Sequence, residues 1–261
     1  MNNKIYQIAN VVAVIGTLIM NSLANILPFN DVTTGQVSDS YPNLFTPPGY
    51  VFAIWGVIYT LAAVFMIYQA RPSQKGKKYL AQIGIWYFVS GVINSVWLFL
   101  FHYSYGAPTV FLFSVVDIVL LLIVLILIYT RLGIGRVMAS RSEKLAVHLH
   151  FSVYLGWICL ATIAAVASAL NLIFPGIPPV TQEMGTALMI VVALALTVIM
   201  IVRRRDFAFA LVVIWAAVGI AIKNAQYPAI FYTAIATTTV IALALIVIPV
   251  IKKKGIIEFY I

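Results

Sequence analysis

Of the 261 residues, 63% are hydrophobic, 9% are charged, and the formal net charge is +9. That balance lies far outside the range of soluble domains, so the chain is expected to be an all-α integral membrane protein, a polytopic helical bundle with little mass outside the membrane. A spanning helix needs about 20 apolar residues, and about eight such stretches are legible, at 5–27, 48–70, 80–103, 108–130, 145–171, 184–202, 207–223 and 229–251.

The basic residues set an orientation. Lys4, the group from Arg71 to Lys78, the group from Arg131 to Lys144, Arg203–Arg205 and Lys252–Lys254 fall in alternate connections, while Asp31, Asp39 and Glu183 fall in the others. The positive-inside rule then places both termini in the cytoplasm, and a prokaryotic plasma membrane is the expected location. The basic loops are too short and scattered to follow a phosphate backbone, so no nucleic-acid partner is expected. Cys159 is the single cysteine and lies inside a predicted helix, which rules out an intramolecular disulfide.

The first stretch, 5–27, exceeds the about 7–15 apolar residues of a signal-peptide core and reads as a retained helix. Asn21 and Asn25, one turn apart, continue a polar stripe from Thr17. Amides of this kind face the bundle interior, either bridging helices or lining a pocket. The connection 28–46 is the longest on its side and is rich in Asn, Asp, Ser, Thr, Gly and Pro; loops of that length often act as lids. It leads into YPNLFTPPGYVFAIWGVIY, residues 41–59. Here Thr46 is the expected N-cap, Pro47 and Pro48 occupy the first turn, where their missing N–H groups cost nothing, and Trp55 and Tyr59 share a face.

The third stretch places Asn94, Trp97 and Phe101 on one face, with Trp86, His102, Tyr103 and Tyr105 as interfacial belt residues. In the fourth, Asp117 stands near mid-membrane, where a charge costs about 2.5–3.5 kcal/mol. It is either a hydrogen-bonded carboxyl that orients helices or a group that handles ligand or protons, with Asn94 or Lys223 among its candidate partners. In the fifth, Tyr154 and Trp157 are followed on the same side by Ala161, Ala164, Ala165 and Ser168, a smooth surface suited to close helix packing or to a flat ligand. His148 and His150 point to different faces and make a poor metal pair. The sixth stretch is aliphatic. The seventh carries Trp215 and ends at Lys223, about 24 Å along its helix, where snorkelling to the surface explains a lone lysine. The eighth is rich in Thr and Ala. No phosphate loop, metal cluster spacing or hydrolase signature is present, so an enzyme is not expected, although light-driven breakdown of a bound pigment beside tryptophans needs none of these.

Depth alone places Asn21, Asn25, Trp55, Tyr59, Asn94, Trp97, Asp117, Tyr154 and Trp157 between mid-membrane and the outer surface, on the first five helices. An aromatic hollow of this kind suits a large, flat, mainly apolar ligand.

PNLFTPPGYVF followed by Trp55 and Tyr59, INSVWLFLF with Asn94 and Trp97, and VYLGWICLAT with Tyr154 and Trp157 resemble the TspO/MBR family, the tryptophan-rich sensory or translocator proteins. The resemblance covers residues 5–171 in the family's order. It divides the chain into a five-helix core, 1–171, with the outer loop 28–46, and three additional helices with a short tail, 172–261. The resemblance implies a receptor or transporter that binds a tetrapyrrole such as protoporphyrin IX or haem, or a lipid, with Pro47, Pro48, Phe52, Trp55, Asn94, Trp97, Tyr154, Trp157 and Ala161 around it. Tyr50, His102 and Val153 depart from the family's pattern, and Trp55 arrives one residue early. No cofactor is required. The expected partners are membrane lipids, a planar hydrophobic small molecule and a second copy of the chain in a homodimer. The alternatives are a proton- or ion-coupled solute transporter using Asp117, and a structural or regulatory membrane partner.

Overall fold

The computed structural model describes residues 3–27 and 29–260, with Asn25 described by its backbone only. All regular structure among these residues is helical. In order come α1 (Asn3–Ile26), the short α2 (Thr34–Ser40), α3 (Ile54–Ala70), α4 (Lys78–Ile83), α5 (Trp86–Tyr103), α6 (Pro108–Leu132), α7 (Arg141–Glu143), α8 (Leu149–Ile173), α9 (Pro179–Arg204), α10 (Phe207–Lys223), α11 (Pro228–Ile251) and α12 (Ile256–Tyr260). Proline opens α6, α9 and α11, where its fixed φ suits the first turn and its missing N–H is no loss. Asp206 caps α10 by accepting from the Phe209 amide at 3.0 Å, which fills one of the orphan donors at a helix start.

Length and hydropathy mark the spanning candidates as Asn3–Ala24, Gly49–Ala70, Pro108–Leu132, Arg141–Ile173, Pro179–Arg204 and Pro228–Ile251, with α10 shorter at 17 residues. The expected third span, 80–103, is not one helix. Gly84, at φ +58, ends α4 by donating its N–H to the Leu80 carbonyl at 2.9 Å, and α5 starts afresh at Trp86. A left-handed residue cannot continue a right-handed helix, and glycine adopts that conformation freely.

The bundle is organised around α8, which packs against α3, α6 and α10. Its spanning window is 61% buried, against 22% for α11 at the rim. One buried core runs from Val14 on α1 through Phe65, Leu121 and Phe151 to Ile201, Val213 and Ile241. The helices after residue 171 therefore share a core with those before it: α10 lies on α8, and α9 and α11 lie on α10.

Candidate functional site

The site is built at the end of the bundle away from the basic loops, beneath the connection between α1 and α3. That connection is tied down residue by residue. The Asn43 side chain donates to Thr46 Oγ1 and to Ser168 Oγ, both at 2.7 Å, and accepts from the Thr46 amide at 2.7 Å. Ser168 in turn donates to the Tyr41 carbonyl at 2.6 Å. Tyr41 stacks on Phe111 with centroids 3.9 Å apart and donates its hydroxyl to the Ser104 carbonyl; burial pushes its phenol above the ordinary range and keeps it a neutral donor. A capping box between Thr33 and Gln36 starts α2, which lies against α5.

Thr46 was the expected N-cap of the second span, but it caps nothing. Its hydroxyl and amide are engaged by Asn43, and the chain passes Pro47 and Pro48 before a 3₁₀ turn, Gly49–Ala53, leads into α3 at Ile54. The double proline instead packs against α10. A Cβ built on Gly219 would lie 2.5 Å from Val51 Cγ2 and 3.3 Å from both Pro47 Cβ and Pro48 Cδ, so only glycine allows this close approach. Three further bonds join α10 and the residue after it to the cover: Trp215 Nε1 to the Val51 carbonyl, Lys223 Nζ to the Thr46 carbonyl and Asn224 Nδ2 to the Leu44 carbonyl, each 2.9 Å. Lys223, expected to snorkel, thus anchors the loop.

Beneath the cover is a chamber of about 70 Å³, walled by the rings of Phe45, Trp55, Trp97, Phe101 and Trp157 and floored on α8 by Ala161, Ala164, Ala165 and Ser168. A second space of about 210 Å³, bordered by Asn21, Thr34, Phe52, Tyr59 and Leu98, shares Phe52, Trp55 and Trp97 with the first and forms its mouth. The rings brace one another: Trp55 on Tyr59 at 5.6 Å, Trp97 on Phe101 at 4.8 Å, and Phe52 and Trp55 edge-on to Trp157 at 5.7 and 6.3 Å. Trp157 is 3% exposed, and its indole N–H finds no hydrogen-bond partner among the described residues. A buried donor without a partner costs about 1–3 kcal/mol, a cost that an acceptor on a ligand would remove.

Of the residues singled out from sequence, Pro47, Phe52, Trp55, Trp97, Phe101, Trp157 and Ala161 line the chamber, and Asn21 and Tyr59 line its mouth. The early arrival of Trp55 does not turn it away. Four do not line either space. Pro48 packs on Gly219. Asn94 is fully buried and accepts from Asn21 Nδ2 at 3.1 Å, so it bridges α5 to α1. Tyr154 lies deeper, beside Tyr59, Tyr87 and His150. Asp117 is 9% exposed on α6, between the lining residues Ser114 and Ile118 in number but outside the wall, and its Oδ2 has no partner among the described residues. The expected partner Lys223 is engaged at Thr46 instead. The Asn25 side chain and Pro28 lie outside the described residues.

One further position differs from expectation. His102, taken as a belt residue with Tyr103 and Tyr105, is 0% exposed while those tyrosines are 52% and 47% exposed; its Nδ1 meets the Leu98 carbonyl at 2.8 Å and its Nε2 the Thr34 hydroxyl at 3.4 Å. The loop covers it, which helix depth cannot reveal. The wall also includes Ala216 and Ile220 of α10, so the chamber is not closed by the first five helices alone.

A profile described as TSPO-like protein matches residues 7–247. The chain belongs to the TSPO-like protein family. No curated protein and no solved structure matches it significantly. The family match continues past Asn171 through α9 and α10 and into α11, the stretch that includes the α10 wall of the chamber.

Proposed function

We propose that this TSPO-like membrane protein binds a planar, mainly apolar ligand, a tetrapyrrole such as protoporphyrin IX or haem or else a lipid, in the ring-walled chamber under the outer cover, as a receptor or transporter rather than an enzyme. The observation that carries this reading is the meeting of Trp55, Trp97 and Trp157 over a floor of alanines, with the one polar group of Trp157 buried and unpartnered. Rings supply stacking, the alanines leave room for a flat body, and the indole N–H selects an acceptor at its edge. Chamber and mouth each fall below the about 300 Å³ at the lower end of ligand pockets, so a macrocycle enters only when the cover lifts, whereas a narrower planar amphiphile or a lipid chain needs less. With the basic loops in the cytoplasm, the cover faces outward and the ligand enters from that side or from the outer leaflet.

Titration of the purified protein with protoporphyrin IX, read by its visible absorption band, tests this. Saturable binding is expected. Trp97→Ala and Trp157→Ala should each weaken it by about tenfold, in line with the about 1–3 kcal/mol of a ring stacked on an aromatic side chain, and Asp117→Asn should weaken it only partly. No spectral change with any porphyrin, in protein that retains no lipid by native mass spectrometry, would sink the reading.

A second reading rests on Asp117, a buried carboxyl on α6 with one oxygen unpartnered among the described residues. Intramembrane acids of this kind serve proton relays, and proton-coupled uptake into vesicles that disappears in Asp117→Asn while porphyrin binding survives would favour transport of a small solute.

A further inference from the structure

The opposite end of the bundle holds a cleft of about 580 Å³, formed where the turn after α6, the start of α8, the α9–α10 junction and α12 meet. Its lining includes Arg136, Lys144, Arg203, Arg204, Arg205 and Lys254. Basic residues at helix ends are ordinarily solvated and diverge, which satisfies the positive-inside rule without creating a site. Here they converge from separate segments onto one cavity. Two cations are held in place by rings: Arg204 over Tyr129 at 5.5 Å and Arg205 over Phe259 at 5.2 Å. Arg205 adopts φ +52, a left-handed conformation that a non-glycine residue takes only at a cost, and it turns the chain from α9 into α10.

Among the described residues, the acidic members of the wall, Asp206 and Glu258, are fewer than the basic ones. Asp206 accepts from Tyr129 Oη at 2.7 Å and from the Phe209 amide at 3.0 Å, occupied as the cap of α10. Glu258 pairs with Lys254 at 3.6 Å. Arg136 repels Arg204, which Asp206 attracts in turn, and an anion beside the two guanidiniums would add paired, charge-assisted contacts. Apolar side chains, Val137, Leu145, Val202 and Phe259, complete the wall, so the cleft presents both a cationic floor and a greasy flank.

The geometry points to a binding site for a phosphate-bearing anion in this cleft, supplied either by the headgroup of an anionic phospholipid or by a free phosphate compound. It is separate from the ring-walled chamber and does not depend on what that chamber holds.

The test uses the full chain in phosphatidylcholine nanodiscs. One arm dopes the discs with phosphatidylglycerol and reads retained lipid by native mass spectrometry; the other adds inorganic pyrophosphate and reads the melting temperature. Binding in the first arm identifies a headgroup site, and binding in the second alone identifies a soluble anion. In either arm Arg136→Gln with Arg203→Gln should weaken binding about thirtyfold, from about fivefold for each cation removed near a membrane surface. Arg136→Lys with Arg203→Lys should retain most of it, and Lys75→Gln with Lys78→Gln, basic residues outside the cleft, should leave it unchanged. If the double glutamine variant does not fold, Lys254→Gln should show a loss of about fivefold. Absence of binding in both arms by folded protein, or equal losses in the cleft and control pairs, overturns the proposal.

Discussion

The two halves of α8 are both rich in aromatic neighbours, yet only one borders a ring-walled chamber. Toward the basic end, His150 and Phe151 meet Phe65 and Tyr87 with ring centroids 5.0–5.8 Å apart, and the Tyr87 hydroxyl lies 2.8 Å from His150 Nε2. The space left beside them is about 20 Å³, on the order of one water. Toward the cover, Trp55 of α3 and Trp97 of α5 line one space with Trp157, Ala161, Ala164 and Ala165 of α8, and a chamber opens. Rings packed against rings make a solid core. Rings held by a fixed cover across from single methyl groups cannot close the gap. Aromatic content by itself therefore does not open a cavity; the small residues among the rings do.

Removing a ring from the solid half should have the largest effect. Phe65 is 0% exposed, and Phe65→Ala is expected to destabilise the protein by about 3–5 kcal/mol while leaving porphyrin affinity per folded molecule unchanged; thermal unfolding in detergent alongside an absorption titration would show whether the two halves are independent.

Next comes the contact that seats the cover. Gly219→Ala forces a methyl into Val51 and the double proline, at a cost of about 1–3 kcal/mol. Hydrogen exchange should then quicken at the Trp215 indole N–H, which bonds to the Val51 carbonyl, and ligand should associate faster; unchanged exchange would mean that α10 does not hold the cover.

Filling the chamber should separate binding from stability. Ala161→Leu on the floor is expected to abolish measurable porphyrin binding while shifting stability by less than about 1.5 kcal/mol, because a larger apolar group finds space already there. Retained affinity would place the ligand elsewhere.

The smallest change is expected at Asn94→Ala. Losing its bond to Asn21 should cost about 0.6–1.7 kcal/mol, the range of interhelical polar contacts in membranes, with little change in affinity, since Asn94 does not line the chamber. A large loss of binding without loss of stability would return Asn94 to the site.

Much of this was legible along the chain. Composition dictated a membrane protein, and continuous apolar runs of about 20 residues made it a helical bundle, because lipid admits only helices and closed barrels, and barrel strands are short and alternating. Helical phase placed Trp97 with Phe101, Trp55 with Tyr59, and the alanines of α8 on one side with Trp157, since residues three and four apart share a face. The order of the three motifs carried the family.

Tertiary structure alone decided which faces meet. Depth along a helix could not tell Asp117 from the lining residues Ser114 and Ile118, nor His102 from the exposed tyrosines beside it, because burial depends on what lies opposite. No periodicity signals that Gly219 receives a proline pair more than 160 positions earlier in the chain, or that Lys223 and Asn224 hold the cover. Local spacing sets the direction of a side chain within its own helix; the neighbour it meets is set by the packing of all the helices at once.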